Sequence, residues 1–225
     1  MKMIFDSDGT IVDTQLPFHA TVEAAVLLKR GVEVTPQSIS ERFAGMSTRH
    51  VFATLAPGHD VELMYKEKWE DIYTLAKTKP IHCLPRMYEL IEFLSKNGIP
   101  MSVASAAPMH WLHCCMGQSV LSNSVVPDRT LRHFLGAGIF SAEDCKNPKP
   151  APDVFLKAAH HLGGGDEMTY VVGDGRSDVI GGLSAGFRVL YLSDTNHEFD
   201  GSPYVKRFVS SLELTDYVRH HLILQ

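Results

Sequence analysis

A chain of 225 residues can bury one full core and carry a small insert; its hydrophobic share of 44% and mean hydropathy of -0.04 are ordinary for a water-soluble globular protein. The formal charge of -5 is mild, no basic stripe marks a nucleic-acid surface, and no apolar run approaches the roughly 20 residues of a membrane span. The start "MKMIFDSDG" is too quickly acidic for a signal peptide, and Cys83, Cys114, Cys115 and Cys145 form neither a CxxC pair nor a disulfide-like framework, so the expected compartment is the cytoplasm.

In chain order, "KMIF" is a short apolar run entering Asp6 and reads as the end of a buried strand. From Phe18 to Arg30 apolar residues recur at helical spacing, and Gly31 is the expected stop. Thr35 reads as an N-cap with Pro36 at the first helical position, and Ser47 as the cap of a helix carrying Val51 and Leu55. Asp60 to about Thr78 is a fourth helical stretch, so residues 17–79 form a block of helices with no clear strand. Pro85 is expected to open a helix that Asn97-Gly98 closes, and "PMSVA" to be a strand running into Ser105. A helix follows from about Met109, with His110 and His113 one turn apart. That spacing could hold a metal, but the favoured reading is a helix face with incidental histidines and buried thiols. Residues 117–136 read as a surface elaboration, in preference to an interface or a floor loop that trims the substrate pocket, with "SNSVVPD" a loop. "APDVFLKAAHHLGGG" reads as a helix, "TYVVG" as a strand ending at Asp174, "DVIGGLSAG" as a helix stopped by Gly186, and "FRVLYL" as a further strand.

Alternating strands and helices imply an α/β fold, a doubly wound parallel sheet covered on both faces. Ligands bind outside the carboxyl ends of such strands. Asp6 and Asp8 follow the first strand, Ser105 ends another, and Asp174 follows a third, so the candidate polar residues converge on one edge. Carboxylate oxygens suit Mg²⁺, whose charge offsets their mutual repulsion. An ionised carboxylate can also be a covalent nucleophile. Lys149 stands between Pro148 and Pro150, which restrict the backbone and suit an ammonium aimed at a transferring phosphoryl group. Gly-rich "GGGD" (Gly163–Asp166) and "GDGRSD" lack the G-x-G-x-x-G spacing of a dinucleotide site.

Four stretches in order resemble the motifs of the haloacid dehalogenase superfamily: "DSDGT" (Asp6–Thr10), Ser105 of "VASAA", Lys149 of "KPAPD", and "VVGDGRSD" with Asp174 and Asp178. The resemblance implies a Rossmann-like core (1–16 and 80–225) with an inserted helical cap (17–79). It implies Asp6 as nucleophile, Asp8 as acid and base, and Ser105 and Lys149 as the remaining catalytic residues. Gly9, Thr10 and Ala106, with Arg49 from the cap, would meet substrate. Mg²⁺ would be held by Asp6, the Asp8 carbonyl and Asp174, with Asp178 acting through water. Asp13 is read as fixing the hinge turn.

The resemblance further implies a phosphatase for a small phosphorylated metabolite, a sugar phosphate or phosphoglycolate-like acid. Asp8 argues for phosphoryl transfer, because expelling halide needs no acid at that position. A beta-phosphoglucomutase-like mutase is an alternative, although His19 is one position from where such mutases carry a histidine. A catalytically idle binding relative is another, although loss of Asp6, Asp8 or Lys149 would be expected of one and all are present. Nothing in the residues separates a monomer from a homodimer, and no nucleic-acid or membrane partner is expected.

Overall fold

The computed structural model describes residues 1–43, 46–121, 123–163, 168–195 and 197–223. It divides into two compact units, Met1–Val12 with His82–Gln225, and Asp13–Ile81.

Strand β1 is Lys2–Phe5, and Val12–Asp13 (β2) pairs with His82–Cys83 (β3) in a small two-stranded sheet. Between them the chain is helical. A π-helical turn over Gln15–Ala20 runs into helix α1 (Thr21–Leu28), so the helix expected from Phe18 begins earlier and with wider winding. Helices α2 (Pro36–Arg42), α3 (Thr48–Leu55) and α4 (Val61–Ala76) follow. The starts of α2 and α3 are the ones the caps predict: the Thr35 hydroxyl accepts from Ser38 N at 3.1 Å and Ser47 from His50 N at 3.3 Å. Asp60 caps α4 as well, accepting from Glu62 and Leu63 N at 3.0 Å.

The second unit resumes with α5 (Met87–Lys96), two residues after the expected start because Arg86 takes a left-handed φ of 62°. Strand β4 (Met101–Ser105) leads to α6 (Met109–Gln118). Residues 117–136 are more than a surface elaboration: Cys83 N donates to Val120 O at 2.8 Å, and helix α7 (Leu131–Leu135) buries Leu131 and Leu135. Next come β5 (Ile139–Ser141), α8 (Asp153–His161), β6 (Thr169–Gly173), α9 (Arg176–Ser184), β7 (Arg188–Leu192), β8 (Val205–Phe208) and α10 (Ser211–Tyr217). Strands β5 and β8 were not expected from the sequence.

The six main strands form one parallel sheet in the order β5-β4-β1-β6-β7-β8. Ile4, Ala104, Val171 and Val189 pack with Val154, Phe155 and Ala158 of α8 and Val179 of α9. Their neighbours Met3, Phe5, Val103, Val172 and Leu190 are equally buried and, by the period of two, line the opposite face. Both faces are covered, as a parallel sheet requires. After β1 the chain builds outward to β4 and β5, then returns to place β6 on the other side of β1. That reversal creates a crevice at the carboxyl ends of the strands. No helix among the described residues is long and apolar enough to cross a membrane.

Candidate active site

Asp6 leaves the carboxyl end of β1, and its N–H donates to Val172 O of β6 at 2.8 Å. The chain then turns tightly: the Ser7 carbonyl accepts from Thr10, Ile11 and Val12, and Gly9 N donates to Val12 O at 2.8 Å. The amides of Gly9 and Thr10 are thus engaged within the turn. Gly9 has φ +80°, and a Cβ there would collide with Asp174 Oδ2, so backbone and carboxylate approach as only glycine permits. The Thr10 hydroxyl donates to Asp174 Oδ1 at 2.9 Å.

Lys149 is the hub. Its side chain is 2% exposed, and Nζ donates to Asp6 Oδ1 at 2.8 Å and to Asp178 Oδ1 at 2.6 Å. The bond between Lys149 and Pro150 is cis. Asp178, on the first turn of α9, also accepts from Gly175 N at 2.9 Å. A Cβ on Gly173 would come within 2.5 Å of Asp178, so that glycine lets the strand end pass close to the acid.

Carboxylate oxygens of Asp6, Asp174 and Asp178 lie within 4.8 Å of one another, the one such cluster of metal-ligating side chains among the described residues. Burial lifts the Asp6 carboxyl to about 7; Lys149 opposes the rise, while Asp178 and Asp8 add to it. Asp174 is pushed well above the usual carboxylate range by burial and by Asp6 and Asp178. Burial pulls Lys149 down, but Asp178 and Asp6 outweigh it and hold the ammonium charged. One lysine bonds two of these three acids, and without a further cation burial and their mutual repulsion favour the protonated forms of Asp6 and Asp174. A hard divalent cation fits that donor set.

Ser105 ends β4, with its hydroxyl accepting from Ala107 N at 3.2 Å; Ala106 beside it is exposed. Asp8 is 7% exposed and accepts from Trp111 Nε1 at 2.8 Å, a contact the sequence reading did not single out. Arg49 lies in the other compact unit. Its guanidinium makes two bonds to Glu62, at 2.7 and 3.0 Å, and sits 3.6 Å from the Tyr65 ring centre. Ala44 and Gly45 lie outside the described residues, as do Gly164–Asp166 of "GGGD". His19 Nδ1 lies 2.8 Å from Lys68 Nζ.

A family model described as haloacid dehalogenase-like hydrolase matches residues 3–192. The chain belongs to the haloacid dehalogenase-like hydrolase family. Hexitol phosphatase A of Escherichia coli is 29% identical over 195 residues, 83% of this chain and 80% of that protein. Fructose-1-phosphate phosphatase YqaB of the same organism is 27% identical over 164 residues, 72% of this chain and 79% of that one. Among solved structures, a hydrolase from Pseudomonas syringae superposes with a TM-score of 0.74 at 20% identity, covering 98% of each chain. That likeness shows the fold. The haloacid dehalogenase-like signature explains why the sheet edge carries acids from both ends of the chain. The sequence could name Asp6, Asp174 and Asp178 by motif, whereas Trp111 left no signal, being 103 positions from the carboxylate it holds.

Proposed function

We propose that this hydrolase is a Mg²⁺-dependent phosphatase acting on a small phosphorylated metabolite, a sugar phosphate or phosphoglycolate-like acid. The observation that carries the reading is Lys149, bound at once to Asp6 and Asp178 beside Asp174. A nucleophile, a fixed cation and a set of hard ligands then share one place. The names of the phosphatase relatives support the substrate class.

In the first half-reaction an Asp6 carboxylate oxygen bonds to phosphorus. The bond from phosphorus to the ester oxygen breaks, and that oxygen keeps its electron pair and takes a proton from Asp8. In the second, a water oxygen bonds to phosphorus and its proton passes to Asp8. The bond to Asp6 breaks, returning the carboxylate and inorganic phosphate. Ser105 and the Ala106 N–H hold phosphoryl oxygens, and Lys149 balances their charge. Asp6, the Asp8 carbonyl and Asp174 would hold Mg²⁺, with Asp178 acting through water; the ion supplies positive charge against the phosphoryl oxygens. The helical unit takes the part of the cap. Two of the five N–H donors of the Arg49 guanidinium go to Glu62.

The test is phosphate release from sugar phosphates, phosphoglycolate and nucleotides, with and without Mg²⁺, using Asp6→Asn as the blank. Mg²⁺-dependent turnover of one class, absent from the variant, is expected. No release from any ester, or release that survives Asp6→Asn, would overturn the reading.

A further inference from the structure

We propose that Trp111 is a positioning residue for Asp8. The inference rests on the reading of Asp8 as acid and base, and it assigns a role to a side chain that neither the motifs nor the relatives' names mark.

Trp111 is fully buried on the first turn of α6, the helix that follows Ser105 and Ala106. That turn is fastened by Trp111 N donating to Pro108 O at 3.0 Å and Leu112 N to the same oxygen at 3.2 Å. From it the indole N–H reaches Asp8 Oδ1 at 2.8 Å. An indole offers one donor in a fixed direction and no acceptor. Held in a packed site, the ring cannot swing to follow a rotating carboxylate. The bond therefore selects which Asp8 oxygen is held and restricts rotation of the carboxyl group. A group that gives a proton to the ester oxygen and later takes one from water must keep the same aim through both half-reactions, and a small misplacement is costly in rate. The loop that delivers Ser105 and the helix that aims Asp8 are continuous, so phosphoryl binding and proton transfer share one support.

The test compares p-nitrophenyl phosphate with benzyl phosphate, of similar size. The nitrophenolate leaves without a proton, whereas the benzyl alkoxide needs one. Trp111→Phe removes the N–H and keeps an apolar ring. Its turnover of benzyl phosphate is expected to fall roughly 10- to 100-fold. With p-nitrophenyl phosphate, a burst of about one nitrophenolate per site should form as fast as nitrophenolate first forms on the unsubstituted enzyme. Slow steady-state release follows, because only the water step then needs Asp8. A variant that had merely lost structure would form nitrophenolate slowly from the start. Benzothienylalanine at position 111 replaces N–H by sulfur within the same outline and should show the same split. Unchanged benzyl phosphate turnover in both, or first-step and benzyl rates falling together in the benzothienyl protein, would overturn the proposal. Asp8→Asn separates the two readings: if it hydrolyses benzyl phosphate normally, the role of Asp8 itself is wrong.

Discussion

The hydroxyl of Thr10 donates to Asp174 at 2.9 Å, joining two residues 164 positions apart. Thr10 is wholly buried, so Thr10→Val keeps the shape and deletes only the donor. Partners of metal ligands are worth about 10- to 100-fold in metal affinity. The Mg²⁺ concentration for half-maximal activity should rise about tenfold or more in Thr10→Val, with about 1 kcal/mol of stability lost. A Mg²⁺ titration of phosphate release, beside a denaturant melt, checks both. An unchanged Mg²⁺ requirement would sink the assignment of Asp174 as a ligand.

Lys149→Ala removes the ammonium that bonds both Asp6 and Asp178. Removing one partner of a buried ion pair costs about 3 kcal/mol or more. Phosphate release should fall by roughly 100-fold or more, as when a fixed stabilising donor is lost. Chemical denaturation and turnover on the best ester of the panel measure the two effects. Retained activity would remove Lys149 from the site.

Gly9→Ala combines a strained backbone with a collision against Asp174, and Gly31→Ala has the strain alone, since nothing lies near a Cβ there. Each should lose about 1–2 kcal/mol from the positive φ. Only Gly9→Ala should also lose turnover. Equal turnover in the two variants would show that the Gly9–Asp174 approach has no part in the reaction.

The Asp6 carboxyl rises from an ordinary 3.8 to about 7 because it is buried; Lys149 partly opposes the rise, and Asp178 and Asp8 add to it. Between those values the folded protein keeps a proton that the unfolded chain has released. Stability therefore falls as pH rises through that window, since the folded state binds more protons. With Mg²⁺ chelated, the melting temperature should decline from pH 5 to 7.5, and the decline should be shallower in Asp6→Asn. Parallel curves for the two proteins would contradict the burial of an ionisable Asp6.

The α/β class was legible because β1, β4, β6 and β7 are short apolar runs, each ending at a polar residue or turn. Cap residues Thr35 and Ser47 marked helix starts because a side-chain oxygen is needed where backbone donors are orphaned. Strand β5 has three residues and β8 buries only Phe208 fully, so neither carries the periodicity by which a strand is recognised. The turn after β1 was recognisable in "DGT", but the use of Gly9 and Thr10 to shape Asp174 was not. That use depends on the pairing of β1 with β6. Trp111 looked like any core aromatic, since a hydrogen bond across the sheet edge leaves no local trace.

The position of β1 in the sheet also sets when the protein can work. Phe5 lies in register with Val103 on one side and Val172 on the other. While the chain grows on the ribosome, the strand carrying Asp6 is made long before the strand that flanks it and delivers Asp174. At about 5–20 residues per second that delay lasts on the order of ten seconds or more. Until then one side of an apolar strand lacks its neighbour, and such long-range parallel pairing is slow to form. An unpaired apolar strand edge of this kind is prone to aggregate, and β6 is what covers it.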